Sequence, residues 1–214
     1  KEGVVLGICM WGMFVSQTVG LMYTKASNSG FITGMYILFI PLLNLTIFRK
    51  KLQKIKIISI FISLAGIYFL TGGVNSFNKG DFLTLITALF FALHILVADF
   101  YMKKERDIFV ITFQQFAVTS ILSFILALII GYDFSIKDIK SAESILYLAL
   151  FPTVLAFIIQ MQAQKHLSPF KIGALFALEP IFALIMAVCF GGEILKISSL
   201  FGGILIVAGI ILSE

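Results

Sequence analysis

Side chains able to do chemistry are few in this chain. Two histidines, His94 and His166, and eleven carboxylates are set among 214 residues, 60% of them hydrophobic. Glu179 stands inside an apolar run and is followed by Pro180. A carboxylate near the centre of a membrane helix costs about 2.5–3.5 kcal/mol on insertion scales, so it must face protein or water. There it can hold a proton or a solute. It can equally satisfy a helix kinked by the proline, whose missing N–H frees a carbonyl one turn earlier. His94 has the pKa range of a proton relay, or it is a neutral lining residue. Thr153, Phe157, Gln160 and Gln164 recur at intervals of three and four, the spacing of one helical face. Amides on such a face donate and accept without net charge, which suits polar or zwitterionic solutes. The alternative is helix-to-helix hydrogen bonding, worth about 0.6 kcal/mol per contact. Gln17 beside Phe14, Gln115 four before Thr119, and the stripe Ser29, Thr33, Tyr36 add polar positions. The candidate lining set is therefore Gln17, Tyr36, His94, Gln115, Phe157, Gln160, Gln164 and Glu179.

Other chemistries lack their parts. Cys9 and Cys189 lie in apolar runs, and neither their number nor their spacing makes a zinc site or a disulfide framework. No H-E-x-x-H, no G-x-S-x-G and no paired catalytic carboxylates occur, which leaves an intramembrane enzyme without a nucleophile, base or metal. A membrane scaffold or receptor would need a sizeable soluble loop, and the connections here are short. No cofactor is expected.

These residues must be positioned by spans that cross lipid. The mean hydropathy is +1.07 and only 13% of residues are charged, against about 25% in a soluble domain. Twenty-three Phe in one chain of this length cannot all be hidden in one core. Disorder is excluded, since it needs low hydrophobicity and high charge. The net charge of +5 would suggest nucleic acid in a soluble protein, but here the cations sit between apolar runs and report topology instead. Eight runs approach the ~20 residues that cross ~30 Å of hydrocarbon: Gly3–Tyr23, Ser27–Phe48, Ile55–Gly72, Asp81–Met102, Ile108–Gly131, Ser141–His166, Pro169–Gly191 and Ile197–Ser213. They are continuously apolar rather than alternating, so they read as helices and not barrel strands. The fold class is all-α, a polytopic membrane helix bundle.

With alternating spans, eleven of the 16 basic residues fall on one side, including Lys1, the run Arg49 to Lys56, Lys103, Lys104, Arg106, Lys165 and Lys171. The positive-inside bias makes that side, and the C-terminus, cytoplasmic in a cell-membrane protein. An offset of 143 residues then aligns the first third of the chain with the last. Gln17 falls on Gln160, Gly30 on Gly173, Phe39 on Phe182, and Ala65-Gly66-Ile67 on Ala208-Gly209-Ile210. The aligned copies cross the membrane in opposite senses, the arrangement of transporters whose solute site lies near the midplane. Residues 1–74 read as the last three helices of a first repeat, and 80–214 as a complete second repeat of five. A complete first half needs about 64 further residues, giving ten helices, five plus five, of which eight are here.

At this level the chain resembles the drug/metabolite transporter superfamily, in its ten-helix EamA-type members. The resemblance rests on Tyr23-Thr24-Lys25-Ala26-Ser27-Asn28-Ser29-Gly30-Phe31-Ile32-Thr33-Gly34 followed by Pro41, on Gly80-Asp81, on Ala177-Leu178-Glu179-Pro180, on Gly192-Glu193, and on Gly202-Gly203 with Ala208-Gly209. It implies alternating-access transport of a small organic metabolite, outward or inward, with protons as a potential co-substrate, no cofactor and no nucleic acid. Monomer and homodimer stay open. Accessibility labelling of single-cysteine variants at positions 51 and 196 is expected to place the two in opposite compartments; the same compartment for both rejects the inverted reading.

Overall fold

In a computed structural model, residues 1–24, 26–47, 53–71, 77–104, 107–135, 138–179, 181, 182, 185, 189 and 196–212 are described. Lys25, Arg49 to Leu52, Arg106, Lys137, Pro180, Gly192, Glu193, Leu195 and Glu214 lie outside them. The helices are α1 (Glu2–Leu21), α2 (Ala26–Thr33), α3 (Tyr36–Thr46), α4 (Lys54–Thr71), α5 (Lys79–Met102), α6 (Ile108–Ile129), α7 (Ile139–Leu148), α8 (Ala156–Gln164), α9 (Pro169–Phe176) and α10 (Ile197–Leu212), with a π-helical segment, Ala149–Leu155, joining α7 to α8. Among the described residues, four stretches are long and apolar enough to cross a membrane: Glu2–Leu21, Lys79–Met102, Ile108–Ile129 and Ile139–Gln164. The chain divides into two compact units, Lys1–Trp11 with Val97–Leu167, and Gly12–Leu96 with Ser168–Glu214.

In the first unit, Asp107 caps α6 by accepting from the N–H groups of Phe109 and Val110, at 2.8 and 3.2 Å. Leu6, Ala98, Met102, Ile108, Ile111 and Met161 form its core. A side chain at Gly3 would strike Gln114 and Ile111, and one at Gly7 would strike Val118 and the carbonyl of Gln115. Rising numbers meet rising numbers, so α1 and α6 run parallel at backbone contact, the small-residue packing that membrane helices use. Pro152 removes the N–H that would bond the carbonyl of Leu148. Here the hydroxyl of Thr153 donates to that carbonyl instead, at 2.8 Å, and the helix widens to a π turn. Thr153 is thus engaged with its own backbone. The stripe read from the sequence begins at Phe157, because the wider turn shifts the phase of everything before it.

In the second unit, α1 and α5 run antiparallel. Ser16 and Thr87 lie 2.8 Å apart, hydroxyl to hydroxyl, and a Cβ on Gly20 would sit 3.1 Å from the carbonyl of Gly80. The turn before α5 is a capping box. The Asn78 side chain accepts from Gly80 and Asp81 N–H groups at 2.7 and 3.1 Å, and Asp81 accepts from the Asn78 N–H at 2.9 Å. Thr24 completes it by donating to Asp81.

The sequence reads Ser27–Phe48 and Pro169–Gly191 as single spans; the structure interrupts both. The first breaks at Gly34 and Met35, the second at Ala177 and Leu178, which are 143 residues apart. The hydrogen bonds match as well. Gly34 N–H to Gly30, Met35 to Ile32, Leu38 to Met35 and Phe39 to Met35 correspond to Ala177 to Gly173, Leu178 to Leu175, Ile181 to Leu178 and Phe182 to Leu178. Each break holds three i−3 bonds, which tighten the turn; two correspond at the offset, and the third is Ile37 to Gly34 in the first and Ala177 to Ala174 in the second.

The same offset relates the packing of α4 on α10. A Cβ on Gly66 would lie 2.7 Å from the Gly202 carbonyl and 2.8 Å from Ile206. One on Gly209 would lie 3.0 Å from the Ser59 carbonyl and would strike Ser63. Adding 143 to 59, 63 and 66 gives 202, 206 and 209, so each helix offers its partner the same contact. The pair is antiparallel, and the starts of α4 and α10 lie at opposite ends. Substituting Leu at either glycine overpacks this crossing, and Gly66→Leu and Gly209→Leu should each cost about 1–3 kcal/mol. Thermal unfolding in detergent checks this, with similar losses expected for the two.

Candidate functional site

The candidate residues fall into two sets, one in each unit. In the first unit α6 packs against α8. Ile108, Ile111, Thr112, Gln115 and Thr119 are the buried residues of α6, and Phe157, Gln160, Met161 and Gln164 those of α8. Both lists step by three and four, so each is one helical face. Phe116 meets Phe157 edge-on at 6.0 Å between ring centroids, while Met161 packs with Ile108 and Ile111. That antiparallel register brings Gln160, between Phe157 and Met161, near the level of Thr112. Thr119 donates to the carbonyls of Gln115 and Gly7, at 2.8 and 3.1 Å, which locks α1 onto α6.

Four of the eight residues expected to line a solute path, Gln115, Phe157, Gln160 and Gln164, thus converge on one seam. Gln160 is 5% exposed, and its Nε2 has no hydrogen-bond partner among the described residues. The hydroxyl of Thr112, at 3% exposure, also has none. A buried polar group left unpaired costs about 1–3 kcal/mol. A seam with two such groups can donate hydrogen bonds to a bound polar molecule.

The second unit holds the other four. Tyr36 is buried, with its ring edge-on to Phe91 at 4.8 Å, and Phe91 stacks on Phe176 at 5.6 Å. Glu179 is exposed and close enough for its carboxylate to act electrostatically on the Tyr36 hydroxyl. Tyr36 and Glu179 are 143 residues apart, and each is the first helical residue after its break. His94 is fully enclosed on α5, and Gln17 is half-buried beside Ser16. Ser29 approaches Thr84 at 3.4 Å, so it joins the packing of α2 on α5. In the first unit Asp99 pairs with Lys103, four residues on, at 2.7 Å.

Sequence reasoning missed Thr112, the Phe91–Phe176 stack and the Asn78–Asp81–Thr24 corner. Thr112 was findable, since it precedes Gln115 by three and Thr119 by seven on one face. The corner carries the N-x-x-D pattern of a capping box, hidden in a run rich in turn formers.

These features define a polytopic helical membrane protein. Residues 78–213 match the EamA-like transporter family, and the chain belongs to that family. An uncharacterized transporter of Archaeoglobus fulgidus is 31% identical over 212 residues, covering 99% of this chain and 68% of its own length. One of Methanothermobacter thermautotrophicus is 28% identical over 198 residues, covering 89% of this chain and 57% of its own. The uncharacterized transporter YyaM of Bacillus subtilis is 22% identical over 218 residues, covering 97% and 71%. The chain thus spans between about half and three quarters of the relatives it matches. One crystal structure superposes with a TM-score of 0.83 at 17% identity, covering 99% of this chain and 75% of that one, which shows the fold alone. The family and these relatives are transporters rather than enzymes.

The unpartnered amide makes a stability test possible. Gln160→Leu removes a buried donor that has no acceptor, so stability without solute should hold or rise by about 1 kcal/mol. Phe157→Ala, on the same face, should lower it by about 3–5 kcal/mol. Thermal unfolding in detergent reads both; a loss at Gln160 as large as that at Phe157 shows the amide to be a structural bond.

Proposed function

We propose that the protein is a secondary transporter of small organic metabolites, working by alternating access between two halves of inverted topology. In this reading residues 1–74 belong to the first half and 80–214 form the second. The observation that carries it is the pair of matched breaks at Gly34–Met35 and Ala177–Leu178, with four hydrogen bonds repeated at the same offset. Discontinuous helices at corresponding positions of two halves mark solute sites in such carriers, because a broken turn frees backbone groups and helix ends near the midplane. Support also comes from the α4–α10 crossing, whose contacts exchange under the same offset. Two sets of residues are proposed to meet the solute: Gln160 with Gln115, Gln164 and Phe157 in the first unit, and Tyr36 with Glu179, Gln17 and His94 in the second. The neutral amides supply donors and acceptors for a polar solute. Glu179 supplies the single carboxylate, for a solute cation or a coupled proton. The protein resides in the cell membrane with its C-terminus cytoplasmic.

Uptake and efflux by proteoliposomes, with and without a pH gradient, test this. Gln160→Ala and Glu179→Gln should each reduce flux at least tenfold, the effect of about 1.4 kcal/mol of lost binding. Normal flux in both variants rejects the site while leaving transport intact, and no flux of any metabolite from the unaltered protein rejects transport. If Glu179 carries the proton, Glu179→Gln also removes the response to the gradient.

A further inference from the structure

An apolar groove of about 500 Å³ runs between α3 and α4, lined chiefly by Leu38, Pro41, Leu42 and Leu45 on one side and Ile57 and Phe61 on the other. It lies within the second unit, and none of its lining residues is among those assigned to the solute. Leu42, Leu45, Ile57 and Phe61 are 42–61% exposed, so the groove is open along its length, and Ile60, at 2%, forms its floor. Its volume falls in the range of a small-molecule site, but a wall of this composition offers no hydrogen bonds. Only a hydrocarbon chain matches it.

Charge identifies which hydrocarbon. α3 and α4 are joined end to end by residues 47–53, so the groove has one end at this connection, where Leu45 and Ile57 stand. That connection and the first turn of α4 carry Arg49, Lys50, Lys51, Lys54 and Lys56 with no acidic residue. Lys54 precedes Ile57 by three and Phe61 by seven, placing it on the groove face of α4, and it is exposed. Lys56 lies over the Phe170 ring at 5.3 Å and is half-buried. Among the described residues neither lysine is paired with a carboxylate. Clusters of cations at the end of a membrane helix attract anionic lipid headgroups.

The offset of 143 residues supplies an internal control. Leu42, Ile57 and Phe61 correspond to Ile185, Leu200 and Ile204, which are 48, 53 and 58% exposed. The equivalent surface is therefore exposed too, but the sequence of its connection, residues 190–196, carries one acid, Glu193, and one base, Lys196. Apolar surface is common to both places; the cationic rim belongs to one.

We propose that the α3–α4 groove is a binding site for an anionic phospholipid, one acyl chain lying along Leu38 to Leu45 and the phosphate held by Lys54 and Lys56. The proposal does not rest on the transport reading.

Native mass spectrometry of the delipidated, detergent-purified protein tests it, by titration with phosphatidylglycerol or phosphatidylcholine of identical acyl chains. Phosphatidylglycerol should be retained at least tenfold more tightly, with its advantage falling at high salt. Lys54→Gln and Lys56→Gln should each reduce that advantage about fivefold, while Lys54→Arg and Lys56→Arg keep it. Leu42→Trp, at an exposed position, should fill the groove and release the tightly held lipid; Ile204→Trp should not. Glycerol 3-phosphate and inorganic phosphate should fail to displace the lipid. Equal retention of the two lipids, retention by Leu42→Trp, or displacement by either soluble phosphate overturns the proposal. The elution profile and helical circular dichroism of each variant confirm that it folds.

Discussion

Hydrocarbon offers no hydrogen bonds, so every backbone N–H and C=O that crosses it must be satisfied within the protein. The described helices obey this, and their departures are informative because each needs a substitute partner. At Gly34–Met35 and Ala177–Leu178 the substitute is a shorter bond, from i−4 to i−3. At Pro152 it is a side chain, the Thr153 hydroxyl taking the carbonyl that the proline cannot serve. Where α5 begins, Asn78 and Asp81 cap the first turn and Thr24 closes over the carboxylate. Each of these departures carries its own means of repair.

Close approach is the second organising element. Gly66 and Gly209 let α4 and α10 meet at backbone distance, while Gly3 and Gly7 do so for α1 on α6. Lipid tails are as apolar as Leu, so helices gain little by hiding Leu from lipid, and association depends on fit and hydrogen bonds. Small residues at the crossing and bulky ones facing outward follow from this. The exposed Phe109, Phe113 and Ile121 of α6 belong to the same economy: their surrounding medium is the bilayer.

The helical class, the long spans and the membrane setting were legible because hydrophobic runs of that length have few other uses. The bounds of α5 and α6 differ from the sequence reading by about two residues. The breaks were not legible. Gly34 reads as a packing glycine, and Ala177-Leu178 carries no breaker before Pro180, because hydropathy does not register which carbonyl an N–H chooses. The π turn escaped for the same reason, which moved Thr153 out of the stripe that the three-and-four spacing had given it. Among the candidate site residues, the grouping of Gln115 with Phe157, Gln160 and Gln164 depends on helix-to-helix register that periodicity along one strand of sequence does not carry. Thr112 was lost because threonine is unremarkable inside an apolar run.

The π segment Ala149–Leu155 has a consequence for any cycle between two faces of a membrane. Its counterparts at the 143-residue offset are Leu6–Gly12, which lie in the regular α-helix α1 and hold Cys9 where the later segment holds Pro152. Two halves that matched in every turn would trade roles at no net energy, and the inward- and outward-open forms would be equally populated. One extra residue per turn in one half alone removes that degeneracy. In the proposed cycle, Pro152 would then be one source of a resting preference for one side of the bilayer.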